Sequence, residues 1–184
     1  MHRALVGILL AVVATATTAA VPLRTIPNAD DYVEHRYSRT LRYMEETPLC
    51  CDVRPLGHVL RFIWLRTFDH PVVIRLDEKS NGTWALHTKI AKGQAGFDGG
   101  ALQTNTVVTL PAEKVGSLEE LLGPSAALWH VPSIDGEDGS RWIVEVRNGD
   151  FYRYVDQWSP DSGPVREVGL RFIALAGGHF GKVY

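Results

Sequence analysis

Cysteine is nearly absent from this sequence, whose 184 residues include only two, Cys50 and Cys51. Two cysteines are too few for a disulfide scaffold or a four-cysteine zinc site. Basic residues are not in excess, because 19 Lys and Arg stand against 21 Asp and Glu, and a formal net charge of -2 does not indicate nucleic-acid binding. We therefore expect no nucleic-acid partner, no metal and no cofactor.

The motifs of common enzyme classes are also missing. The sequence contains neither the Gly-x-Ser-x-Gly of serine hydrolases nor the His-Glu-x-x-His of zinc peptidases. The glycine-rich stretch at 93–100 lacks the Gly-Lys-Ser/Thr of a phosphate-binding loop. We assign no catalytic residue, and this favours a protein that is not an enzyme.

Long apolar runs are confined to the N-terminus. Arg3 is followed by the uncharged stretch Ala4–Val13, and small residues then continue to Ala20. This order is typical of a signal peptide, and the apolar stretch is shorter than the roughly 20 residues of a membrane anchor. The sequence thus predicts a signal peptide at 1–20, a secreted or periplasmic mature chain that starts at Val21, and no transmembrane span after cleavage.

The rest of the chain has the composition of a globular domain, with 45% hydrophobic and 22% charged residues. Its length corresponds to one domain, and no linker divides it. We predict a single α+β domain at 21–184 that begins with a short extended tail at 21–27.

Periodicity predicts the secondary structure of this domain. Apolar residues recur at helical spacing in 33–44, in a middle segment that starts at Pro111, and in 164–175. Short β-branched or alternating segments flank two Asn-Gly pairs, Asn81-Gly82 and Asn148-Gly149, which are strong hairpin signals. Strands in adjacent hairpins predict an antiparallel sheet with an N-terminal, a middle and a C-terminal helix.

Charged residues inside these apolar strands are the most informative feature for function. Glu145 lies in an alternating strand, and Arg75 interrupts an apolar one. Because two charges within one sheet are costly unless they meet, we expect Glu145 to be buried and paired with Arg75, with Arg61 and Arg66 as alternatives.

Two aromatic residues of the last strand complete this hypothesis. With Asn148-Gly149 as the turn centre, Tyr152 lies opposite Glu145, and Trp158 ends the same strand. At the rim of a pocket these residues would bind a ligand, whereas in a closed core the ion pair would only set the strand assembly. The predicted ligand-binding set is Arg61, Arg66, Arg75, Glu145, Tyr152 and Trp158.

The adjacent Cys50-Cys51 pair allows several interpretations. The two thiols form a vicinal disulfide, pair with another chain, stay buried and reduced, or act in redox sensing. His58 lies close enough in sequence to act as a base for a nucleophilic cysteine, but Cys-Cys-Asp-Val does not match the Asp-Cys-Ser-Gly of exported cysteine peptidases. We retain a disulfide or redox role as the hypothesis.

One pattern resembles a family of bacterial exported proteins whose activity is uncharacterised. It runs Asp138-Gly139-x-x-Trp142-x-x-Glu145, then Tyr152, then Trp158-Ser159-Pro160 before an apolar helix. An upstream Arg-Phe-x-Trp-Leu-Arg run at 61–66 is shared as well. The resemblance implies a single export-associated domain and indicates no reaction or ligand.

Three functional classes fit these observations. The first is an exported binding or partner-recognition protein for an unknown protein or small molecule of the cell envelope. The alternatives are an enzyme of unrecognised type with an Arg/Glu polar site, and a structural envelope-associated protein.

The signal peptide is directly testable. We expect protein recovered outside the cytoplasm to begin near Val21, because signal peptidases cut after small residues such as Ala20. Mass spectrometry of the N-terminal peptide would measure this, and an intact Met1 in a purely cytosolic product would contradict it.

Overall fold

The computed structural model describes residues 31–50, 57–95 and 97–184, and the side chains of the first helix from Tyr37 onward. The predicted signal peptide, the tail at 21–27 and Cys51 lie outside these residues. The described elements, in chain order, are α1 (Asp31–Tyr43), β1 (His58–Arg66), β2 (Val72–Glu78), β3 (Trp84–Ala91), β4 (Leu102–Leu110), α2 (Gly116–Leu121), β5 (Ser140–Asn148), β6 (Phe151–Trp158) and α3 (Pro164–Ala176).

The six strands form one antiparallel sheet in the order β4-β3-β2-β1-β5-β6. This confirms the predicted α+β fold with its hairpins and its N-terminal, middle and C-terminal helices. One boundary differs from the prediction. Pro111 is followed by a 3₁₀ turn at Ala112–Lys114, and the middle α-helix itself begins at Gly116. A further 3₁₀ turn spans Ala127–His130.

The turn between β5 and β6 lies one residue later than predicted. Asn148 pairs with Phe151, so the two turn residues are Gly149 and Asp150, and Gly149 has a positive φ of 56°. The register therefore shifts by two residues, and Tyr154 rather than Tyr152 lies opposite Glu145. The positive φ favours glycine at the first turn position, which explains the shift.

One face of the sheet carries the larger apolar core and is covered by α2 and α3. Phe62 in β1 packs against Trp142 in β5 and Phe172 in α3, with ring centroids 5.2 Å and 5.8 Å away. Gly169 lets α3 approach the sheet closely, because a Cβ atom at this position would lie 2.3 Å from Cζ3 of Trp142.

The opposite face is covered by α1. Three buried side chains of this helical segment form its apolar stripe, and the sheet supplies the other half of a smaller core. The stripe consists of Tyr37, Leu41 and Met44. Within the described ranges, none of the helices has the length and apolar character needed to cross a membrane.

Gly169 provides a test of the close packing between α3 and the sheet. Gly169→Ala should lower the free energy of unfolding by about 1–3 kcal/mol, because the new methyl group overlaps the buried Trp142 ring. Gly116→Ala is the matched control, since a Cβ there meets nothing within 4 Å. Denaturant unfolding of both variants measures the difference, and equal effects would contradict the packing argument.

Candidate functional site

The cross-strand register lines up polar residues in one row across the sheet. Arg61 in β1 lies opposite Arg75 in β2 and Glu145 in β5, and the row continues to His87 in β3 and Tyr154 in β6. Since directly opposed residues of antiparallel strands share a face, charges from separate strands meet on the α1 side of the sheet.

The ion pair of Glu145 forms with Arg61. Arg61 Nε lies 2.6 Å from Glu145 Oε2, and neither side chain is exposed to solvent. Arg61 Nη1 also donates to Glu46 Oε2 at 3.1 Å and to the Thr47 carbonyl at 2.7 Å. The predicted burial of Glu145 is confirmed, but Arg75 was the wrong first choice of partner because it lies one strand farther away than Arg61.

Glu46 is the residue that joins the charges of three strands. Its carboxylate lies 3.1 Å from Arg61 Nη1, 3.2 Å from Arg75 Nη1 and 2.8 Å from Lys89 Nζ. Burial by itself raises the pKa of Glu46, but the charges of these three cations lower that pKa below its ordinary value. No pattern in the sequence singled out Glu46.

Lys89 ties the same segment to the sheet through the backbone. Its Nζ donates to the carbonyl oxygens of Met44 and Glu45 at 3.0 Å and 2.9 Å. These carbonyls belong to the two residues that directly follow α1. A buried ammonium at this position satisfies them and complements the negative end of the helix dipole.

Asp77 lies at the more accessible end of the same group. Arg75 Nε donates to Asp77 Oδ2 at 2.9 Å, and His87 Nε2 lies 3.2 Å from the same oxygen. Burial raises the pKa of Asp77, but the hydrogen bonds from His87 and Arg75 lower it below its ordinary value. All three side chains are about a fifth exposed, so this end of the row contacts solvent.

Tyr152 reaches Glu145 from a diagonal position. Its hydroxyl donates to Glu145 Oε1 at 2.8 Å, although Tyr154 is the directly opposed residue. Burial and the Glu145 carboxylate raise the pKa of Tyr152, so the phenol stays protonated and remains a donor.

These residues form a balanced group of three cations and three carboxylates, which we call the charge cluster. Each charged member already has at least one opposite charge as partner. The charges therefore balance within the group, and each charge is already paired with another side chain of the protein. The charge cluster consists of Glu46, Arg61, Arg75, Asp77, Lys89 and Glu145.

Arg66 and Trp158 lie elsewhere. Arg66 donates to the carbonyls of His70 and Phe180, and its guanidinium lies 4.4 Å from the centre of the Trp64 ring. Trp158 lies opposite Arg141, with the guanidinium 6.0 Å from its ring centre. The structure thus brings Arg61, Arg75, Glu145 and Tyr152 of the predicted set together and leaves the other two outside.

Cys50 follows the segment that the charge cluster holds against the sheet. It is disulfide-bonded, and its carbonyl accepts a hydrogen bond from Arg147 Nη1 at 3.3 Å. Cys51 lies outside the described residues, and the redox role stays a prediction.

A cavity of about 400 Å³ opens on the other face of the sheet, between the end of α2 and the β5–β6 hairpin. We call it the end cavity. His58 lies at its wall, with Nδ1 3.3 Å from Glu78 Oε2 and 3.7 Å from Glu119 Oε1. Its lining is His58, Leu60, Glu119, Leu122, Gly123, Pro124, Val146, Asn148 and Phe151.

None of the six predicted ligand-binding residues lines the end cavity. His58 was singled out in the sequence only as a base for a cysteine. The other lining residues come from four chain segments, namely β1, the end of α2 with the residues after it, β5 and β6, so no local pattern indicates them. Neither a known protein family nor a curated protein sequence matches this chain.

Glu46 provides the test of the charge cluster. Glu46→Gln should lower the free energy of unfolding at neutral pH by about 3–5 kcal/mol, because three cations lose a shared partner. The folded-state pKa of Glu46 is lowered, so its contribution is present above the unfolded pKa and is lost as the pH falls through the folded pKa. As the pH is lowered from neutral to about 3, the free energy of unfolding should therefore fall less in the variant than in the unmodified protein.

Urea unfolding at several pH values measures both effects. Glu120→Gln, at an exposed position of α2, is the matched control and should leave the stability and its acid dependence unchanged. Identical acid dependence in Glu46→Gln and the unmodified protein would contradict the interpretation.

Proposed function

We propose that the protein is an exported binding protein, secreted or periplasmic, that holds a small and largely apolar molecule in the end cavity. The observation that carries this proposal is a preformed cavity of about 400 Å³ with an apolar floor and few polar groups. Small-molecule sites in proteins have this size and this composition.

The floor and the mouth of the cavity differ in exposure. Leu60, Leu122 and Val146 are at most 5% exposed and form an apolar floor, whereas Phe151 is 42% exposed. An apolar ligand would remove the Phe151 ring and its own surface from water at the same time. A second hollow lies beside Leu170 on α3. It lacks such a floor, because its lining residues are half-buried or exposed.

The polar groups of the end cavity lie near its wall. His58, Glu119 and Asn148 offer hydrogen-bonding groups next to the apolar floor. This arrangement suits a ligand with an apolar body and one polar end, since a few placed polar groups orient a ligand while the apolar contacts bind it.

The charge cluster supports the binding and structural classes better than an enzyme. A catalytic Arg/Glu site needs access for its substrate, but Arg61 and Glu145 are fully buried and already hydrogen-bonded. Its arrangement is that of an ion-pair network that holds the segment after α1 against the sheet.

Binding of N-phenyl-1-naphthylamine, a neutral apolar fluorophore, tests the end cavity. We expect saturable binding to the unmodified protein and at least about tenfold weaker binding to Leu122→Trp, because the indole fills the cavity. Fluorescence titration measures the dissociation constant, and circular dichroism shows whether the variant is folded.

Leu170→Trp, on the exposed side of α3, is the matched control and should bind the probe like the unmodified protein. Unchanged probe binding by a folded Leu122→Trp variant would contradict the assignment. If the probe binds as expected, mass spectrometry of small molecules extracted from the native protein would identify the chemical class of the bound ligand.

A further inference from the structure

The edge strand β4 has an unusual composition for an open edge. Its nine residues, Leu102–Leu110, include no charged residue and no proline, and most are exposed. Val107 and Val108 are 57% and 52% exposed. Proteins normally protect an edge with charge, proline or a covering segment, because its free N–H and C=O groups can pair with another strand.

The opposite edge of the same sheet shows this protection. β6 carries Arg153 and Asp156, and the loop before β5 runs beside it. The Trp158 amide donates to the Ile134 carbonyl at 3.1 Å, and Arg153 reaches the Pro124 carbonyl. In the described part of the chain, by contrast, β4 pairs only with β3, and no strand pairs with its outer edge.

The regular part of β4 is limited to Thr104–Leu110. Ile90 pairs with Thr104, but Ala91 pairs with Leu102, so Gln103 forms a bulge at the start of the strand. A bulge interrupts an edge, and a partner strand therefore pairs best with the seven regular residues that follow. The centre of these residues is Val107.

We propose that β4 is a homodimer interface, at which two copies pair antiparallel about a twofold axis at Val107. In this register Val107 lies opposite itself, Thr106 opposite Val108, and Asn105 opposite Thr109. Every pair combines uncharged side chains, and five of the seven residues are β-branched. No charge is desolvated and no like charges meet, as a self-complementary interface requires.

A second copy fits this edge for a further geometric reason. Twofold pairing keeps corresponding faces of the two sheets on the same side, so the apolar core face of one copy continues into that of the other. The end cavity stays separate, because no residue of β4 lines it. The proposed dimer and the proposed ligand site are therefore independent.

Sedimentation equilibrium of the purified protein, expressed as the full chain, tests the proposal. We expect a monomer–dimer equilibrium in which the fraction of dimer rises with protein concentration. In Thr106→Lys/Val108→Lys, like charges face each other across the twofold axis, and we expect at least a tenfold weaker dimer. In Thr106→Glu/Val108→Lys, opposite charges face each other in the same register, and we expect the dimer to persist.

Ile134→Lys, at an exposed loop position, is the control for an added surface charge and should leave the dimer unchanged. Melting curves establish that each variant is folded. A monomer at all concentrations would overturn the proposal, as would an equal loss of the dimer in the two double variants. A monomer with slowly exchanging β4 amides would show that another segment of the same chain covers this edge.

Discussion

The contact of Glu46 with three cations is the interaction on which the arrangement of the α1 face depends. The carboxylate follows α1 in sequence and reaches side chains of β1, β2 and β3, so one residue connects a helical segment to three strands. Buried charges are unfavourable unless they are paired, and each member therefore requires the others. This mutual requirement allows a single position of the segment relative to the sheet.

The two faces of the sheet are closed by different physical means. On the α1 side, a small apolar core lies next to a neutral ion-pair network. On the other side, α3 packs directly on aromatic side chains and α2 covers only part of the surface. The end cavity lies where this cover stops, beside the β5–β6 hairpin. The charged face is therefore closed by paired charges, and the apolar face leaves a cavity uncovered.

Much of the fold could be predicted from local patterns, and part of the charge cluster as well. Strand alternation predicted the burial of Glu145, and hairpin signals placed the strands next to one another. The same argument from alternation applies to Asp77, His87 and Lys89, because they lie on the same face of the sheet as Arg75. Glu46 carried none, because its partners depend on how α1 packs across the sheet.

The sequence by itself determined which segments form helices and strands, because these depend on periodicity and turn residues within a few positions. It also determined that charges inside apolar strands must find partners. Only the tertiary structure decided which partners they have, because adjacent strands are about 4.8 Å apart and a one-strand displacement removes a direct ion pair. The end cavity was likewise decided by packing, since its wall joins residues that are far apart in the chain.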